Sequence, residues 1–142
     1  AFNEEANGNC WEKDITEYNP WNWERKYEID SLCYPVWLME QYVKNTGDHD
    51  IFTPEVKTAF RDILDLWKRE QHHETSAYSF IRVNCPPSDT LSCEGKGEPV
   101  GYTGMTWSGF RPSDDACRYG YLIPSNMFAA VYGKILKRAV SG

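Results

Sequence analysis

Two kinds of helical pattern alternate along this chain, and their order limits the folds open to it. Val36, Trp37, Leu38, Met39, Tyr42 and Val43 make one segment apolar nearly all round, the mark of a helix buried on most sides. The pattern predicts a helix from near Pro35, a residue suited to a first helical turn, to about Thr46, with a stop at Gly47. After the Asp48-His49-Asp50 turn a second helix opens with Thr53 as N-cap, Pro54 at the first position and Glu55 in the first turn. Its apolar residues Val56, Phe60, Ile63, Leu64 and Trp67 fall on one stripe, and Lys57, Arg61, Asp62, Asp65 and Lys68 fill the other side. A third helix, starting near Pro124 or Ser125 and running to about Arg138, is again largely apolar through Met127, Phe128, Ala129, Ala130, Val131, Ile135 and Leu136. Buried, amphipathic, then buried is the order expected of an inner ring of helices covered by an outer one.

Between these helices the chain is irregular. Residues 1–30 are polar, with Asn, Gly and Pro around Trp11, Trp21 and Trp23, and read as a long loop. Residues 75–112 hold no helical period; Ser79-Phe80-Ile81-Arg82-Val83 reads as a short strand, followed by a loop rich in Pro, Ser and Gly. Neither end looks like the end of a domain, because the chain opens without a signal core and closes as a helical pattern runs out. The expectation is a portion of a larger domain, whose apolar faces would be left uncovered in isolation.

A formal net charge of −6, with both signs scattered, argues against a nucleic-acid surface and a polybasic membrane contact. No run approaches the roughly 18 apolar residues needed to span a bilayer. Aromatics, 15% of the chain, often sit among Gly, Pro and Asn, as ligand-stacking rings do, although composition alone favours core filling. Cys10, Cys33 and Cys117 look like packed thiols, whereas Cys85 and Cys93 bracket a short loop that a disulfide would close in an oxidising compartment. Which compartment that is stays open.

The chemistry concentrates in residues 102–128. Asp114 and Asp115 adjoin Arg111, Trp107, Ser108 and Tyr102, with glycines and prolines shaping the backbone on either side. Two readings compete: an Asp pair that caps a helix, or carboxylates holding different protonation states beside aromatic platforms, as sugar cleavage requires. If one carboxylate pairs with Arg111, its neighbour titrates beside a like charge, the setting of a general acid. A second acidic set, Glu24, Glu28 and Asp30 beside Trp23, Arg25 and Lys26, is either a structural ion-pair network or a group of acceptors for sugar hydroxyls with Trp23 as the stacking face. His72 and His73 have the wrong spacing for two ligands on one helix face, and His49 stands in a turn, so no metal site is assigned. The Gly95-Lys96-Gly97 loop lacks the frame of a phosphate loop, and no nucleophile elbow is present.

The stretches Trp23-Glu24-Arg25-Lys26-Tyr27-Glu28-Ile29-Asp30-Ser31-Leu32-Cys33-Tyr34-Pro35 and Gly104 through Phe128 resemble glycoside hydrolase family 125. The Thr46-Gly47-Asp48 turn, the Trp67-Lys68-Arg69-Glu70-Gln71-His72 run and the Asp89-Thr90-Leu91 loop resemble the same family in the same order, so the resemblance covers essentially the whole chain. It implies an all-α fold, an (α/α)6 barrel of which residues 1–142 would be the central portion of a single catalytic domain. It implies a metal-independent, cofactor-free exo-α-1,6-mannosidase acting on terminal mannose of α-mannoside glycans and inverting the anomeric carbon. The general acid carries over to Asp115 or Asp114, with the slight preference given to Asp115, and the basic Glu is expected beyond Gly142. Arg111, Trp107, Ser108, Tyr102, Asp30, Glu28 and Trp23 are the expected substrate contacts. The Asn84–Cys93 loop resembles the eukaryotic members more than the bacterial ones, which bears on the outer subsites. The alternatives are a non-catalytic mannoside-binding module using the same groups and, more weakly, a metal hydrolase built on His49, His72 and His73.

Overall fold

A computed structural model describes residues 14–15 and 19–141 of the chain. Three long helices dominate: α1 (Ile29–Thr46), α2 (Pro54–Arg69) and, after a short four-residue turn of helix α3 (Ser92–Gly95), α4 (Ile123–Ser141). A two-residue strand β1 (Asp14–Ile15) pairs antiparallel with β2 (Ile81–Arg82). The strand expected at 79–83 therefore shrinks to two residues, and its partner comes from the segment read as loop.

Helix α4 packs against both α1 and α2. The shared core holds Ile29, Cys33 and Val36 from α1, Phe60 and Trp67 from α2, and Ala129, Tyr132 and Leu136 from α4. Helix α2 is as expected: Thr53 accepts a hydrogen bond from the Val56 N–H, Pro54 opens the first turn, and Phe60 and Trp67 are buried. Gly47 closes α1 in the left-handed conformation at φ 71°, donating to the Val43 carbonyl.

Helix α1 corrects two expectations. It begins at Ile29, so Pro35 lies inside it rather than in its first turn. An interior proline costs about 3 kcal/mol, and the burial of Ile29, Cys33 and Val36, spaced four and three apart on one face, offsets it. Nor is α1 buried on most sides. Trp37, Leu38 and Tyr42 stay exposed, as do Ile123, Met127 and Val131 of α4, because the described residues cover only one face of each helix.

A second core cluster, Phe80, Leu91, Trp107 and Phe110, sits under the long loop joining α3 to α4. That loop enters the interior at Thr106, stays buried through Phe110, and is exposed again from Arg111 to Asp114. The loop's two halves thus do different work. Cys33, Cys85, Cys93 and Cys117 are all free thiols, so the Cys85–Cys93 bridge is not formed; Cys85 donates to the Arg82 carbonyl instead. Cys10 lies outside the described residues. No helix is long and apolar enough to cross a membrane among the described residues.

Candidate active site

The buried half of the loop takes two of the expected sugar contacts out of reach. Trp107 is 1% exposed, with its ring stacked 3.4 Å from His73 and within 4° of parallel. Tyr27 lies on the same ring at 6.3 Å, and Gly97, Gly109 and Gly120 press so close that a Cβ at any of them would meet it. No sugar can stack there. Ser108 is fully buried; its hydroxyl donates to the Phe110 carbonyl and accepts from the Ile29 N–H, joining the loop to the start of α1. Both side chains are the foundation of the site rather than its lining.

His73 carries the foundation further. One ring nitrogen faces the buried Glu70 carboxylate at 2.7 Å and the other the Lys96 carbonyl at 2.8 Å. Glu70 also accepts from Ser76, and its backbone carbonyl takes the Trp107 N–H. His72, next in sequence, points the other way and stacks on the exposed Tyr102 at 4.6 Å, because the backbone kinks at His72. His49 stands by Phe52 in the turn after α1. The three histidines are therefore committed to three separate places, which removes the geometry a histidine metal centre would need. Tyr102 thus packs on the short 3₁₀ turn of residues 70–75.

The exposed half of the loop forms the acidic turn. Phe110 bridges Ala116, and the Arg111 N–H donates to the Asp115 carbonyl at 2.8 Å. Asp114 sits between them in the left-handed region at φ 67°, a conformation that Asp tolerates but most residues avoid. Helix α4 starts only at Ile123, so neither Asp caps it. The capping reading is thereby excluded. Non-glycine residues held in this conformation cluster at functional sites, which makes the turn the leading candidate.

Each carboxylate of the pair has a cation. Asp115 meets Arg111 at 2.8 Å and accepts from the Ser113 hydroxyl at 3.0 Å, all near the surface. Asp114 meets Lys26 at 2.9 Å, and that lysine is buried. Nothing in the sequence marked Lys26 as a partner, since the two are joined only by the fold.

Two carboxyls at the start of α1 are raised by their surroundings. Burial pushes Glu28 up; the Ser31 hydroxyl opposes this, and the nearby Asp30, Asp114 and Glu24 charges add to it. Burial likewise pushes Asp30 up against the helix-start N–H groups of Asp30 and Ser31. One Asp30 oxygen, Oδ1, is buried without a hydrogen-bond partner among the described residues. Glu28 at the N-cap of α1 and Asp114 thus belong to one acidic cluster. Glu24 instead joins Arg82, which is also bound by Asp14 and Asp89, so the ion-pair reading holds for Glu24, as it does for Lys26 with Asp89 and Asp114. Trp23, beside it, is 43% exposed.

Two hollows among the described residues bear on the site. One of about 570 Å³ lies between α2 and α4 and is lined by Asp65, Trp67, Thr106, Asn126 and Lys134, with none of Glu28, Asp30, Asp114 or Asp115. The other, about 510 Å³, opens beside α1 and includes Ser31, the residue hydrogen-bonded to Glu28. The second is the one adjoining the candidate chemistry, and it weighs more here than its smaller size suggests.

An acidic turn thus stands on a buried aromatic foundation, within electrostatic range of a second pair of carboxylates at the start of α1. Residues 1–141 match the family model for metal-independent alpha-mannosidases (GH125). The chain belongs to this family. It is 44% identical to a metal-independent alpha mannosidase of Streptococcus pneumoniae solved in a non-productive substrate complex with alpha-1,6-mannobiose, and superimposes on it with a TM-score of 0.92. The match takes in 99% of this chain and 36% of that one. It is also 32% identical over 118 residues to the Meiotically up-regulated gene 157 protein of Schizosaccharomyces pombe, covering 76% of this chain and 23% of that protein. The chain thus spans well under half the length of either relative.

Proposed function

We propose that the intact protein carrying this segment is an inverting exo-α-1,6-mannosidase, with residues 1–142 the central portion of an (α/α)6 catalytic barrel. The observation that carries the reading is the left-handed Asp114–Asp115 turn set against Glu28, in a chain of this family. The acid, Asp115 or Asp114, protonates the glycosidic oxygen as its bond to the anomeric carbon breaks. A Glu outside this chain takes a proton from a water that attacks the opposite face, so the released mannose is inverted. Inversion places the two carboxyls about 6.5–9.5 Å apart. Asp115 is the better candidate, because its exposed pair with Arg111 is worth little and is readily exchanged for a sugar oxygen.

Glu28 and Asp30 are suited to accept sugar hydroxyls, the Asp30 Oδ1 having a lone pair to offer. Arg111 turns toward a hydroxyl once its carboxylate is engaged. Trp23 remains a candidate platform for the ring, and Tyr102, tied to His72, suits only a more distant sugar. The substrate is an α-mannoside glycan.

The test replaces Asp114 and Asp115 separately by Asn in the intact protein. Loss of the acid is expected to slow hydrolysis of an α-1,6-mannobioside about 10²–10⁴-fold, with a smaller loss on an aryl mannoside whose leaving group needs no proton. NMR of the first-formed product is expected to show the β anomer. Near-normal turnover by both variants would remove the acid from this turn. Undiminished mannobiose binding by a wild-type protein with no turnover would favour the non-catalytic binding module.

A further inference from the structure

The buried ammonium of Lys26 has three N–H donors and three acceptors. It donates to the Asp89 carboxylate, to Asp114 Oδ2 at 2.9 Å and to the Asp114 backbone carbonyl at 2.9 Å. Two of the three grips are on one residue. Holding both the side chain and the carbonyl of Asp114 fixes the peptide that leads into Asp115, at the point where the backbone is left-handed. The Phe110 ring lies under the same ammonium, 4.9 Å from its centroid, and closes it off from water. The Lys26 side chain is only 2% exposed.

The grip is anchored at its far end. Asp89 also accepts from Arg82 at 3.2 Å, and Arg82 is held by Asp14 and Glu24. The neighbouring Ser88 carbonyl takes the Ala116 N–H at 2.8 Å, so the 84–93 loop backs the acidic turn at two points. This loop was expected to act on the outer subsites. Its contacts are instead with the back of the turn that carries the acid.

We infer that Lys26 is a positioning residue for catalysis: anchored on Asp89, it uses Asp114 as a handle and presents Asp115 as the general acid. The inference rests on the reading that the acid lies on this turn, and it divides the labour between two adjacent carboxylates that the sequence left equivalent. A burial-driven ion pair without function would need only one contact between Lys26 and Asp114, and either contact would serve. The chelate of side chain and carbonyl does something more, because it sets the direction of the following residue.

The experiment measures kcat and KM of the intact protein on an α-1,6-mannobioside for K26M, D89N, D114N, D115N and K26M/D114N, with Tm for each. A misplacement on the order of 1 Å costs about a hundredfold in rate, so K26M and D114N are each expected to lose about that in kcat with KM within about twofold. The double variant is expected to be no slower than D114N alone, since both changes release the same grip. D89N, which leaves Lys26 and Arg82 in place, is expected to lose about tenfold in kcat and serves if K26M does not fold. D115N is expected to be the slowest single variant. Wild-type kcat in K26M or D89N, or losses that multiply in K26M/D114N, overturns the inference while leaving the acid assignment standing. Normal turnover in both D114N and D115N removes the acid reading itself. D114N slower than D115N reverses the two roles and overturns the inference as well.

Discussion

One loop supplies both the best-packed and the most exposed polar residues of the site. From Thr106 to Phe110 five consecutive residues are buried, and from Arg111 to Asp114 the next four are exposed. In the buried half, Trp107, Ser108 and the Glu70–His73 pair spend their hydrogen bonds and ring faces on one another. In the exposed half, Arg111, Asp114 and Asp115 hold charges that water or a ligand can reach. Residue types that suit a sugar occur in both halves, and only burial separates those that can meet one from those that hold the site in place. Sequence proximity to the Asp pair is therefore a poor guide to which side chains a ligand can reach.

The comparison breaks most visibly if the foundation proves dispensable. Removing Glu70 leaves His73 and Ser76 without their acceptor in the interior, and a buried polar group left unsatisfied costs about 1–3 kcal/mol. Glu70→Ala in the intact protein is expected to lose that much in denaturant unfolding, and Glu70→Gln, which keeps a hydrogen-bonding oxygen, clearly less. Equal losses would mean that packing rather than hydrogen bonding holds the pair. Gly120 sharpens the same point. At φ 71° it adopts a conformation other residues resist, and a Cβ there would come within 2.6 Å of the Trp107 indole and 2.9 Å of Val100. Gly120→Ala is expected to cost about 1–3 kcal/mol, as overpacking does. An unchanged Tm would show that the Trp107 ring can move, and would reopen its role at the sugar.

What the sequence made legible follows the range of the interactions. Helix α2 was readable because Thr53, Pro54 and the Val56–Trp67 stripe are local signals that the fold does not overrule. The start of α1 was misplaced because Pro35 is a strong local signal, overruled here by burial of Ile29 and Cys33 against α4. The Asp pair is legible in the sequence, and so is Arg111 as a partner for one of its carboxylates; Lys26 is not, because it and Asp114 are brought together across the chain by the Asp89–Arg82 network and the β1–β2 pairing. Nor do local patterns report burial, which is the first cause that raises Glu28 and Asp30.

The smallest expected effect compares two carboxylates within the site's surroundings that burial treats oppositely. Asp89 is pushed up by burial, but its bonds to Lys26 and Arg82 outweigh this and leave it lowered. Its ionised form therefore stabilises the fold above the ordinary Asp value, and that contribution is lost as pH falls through the lowered one. Asp30 is the reverse. Burial raises it, the helix-start N–H groups only partly compensate, and Oδ1 has no partner among the described residues. The folded state then holds a poorly served charge at neutral pH, and stability falls as pH rises from the ordinary Asp value through the raised one. Asp30→Asn is expected to raise stability at pH 7 by a small margin, because it removes the poorly served charge. The gain should fade as pH falls through the ordinary Asp value of about 3.9, below which the wild-type carboxyl becomes neutral in both states. Over the same range Asp89→Asn should lose stability at pH 7 and approach wild type in acid. If Asp30 accepts a mannose hydroxyl, its Asn variant will be more stable and yet bind mannoside more weakly, the trade expected where a buried oxygen is kept unpaired for a ligand. A variant that is less stable at pH 7 and binds normally would place Asp30 with Asp89, among the residues that hold the site rather than meet the sugar.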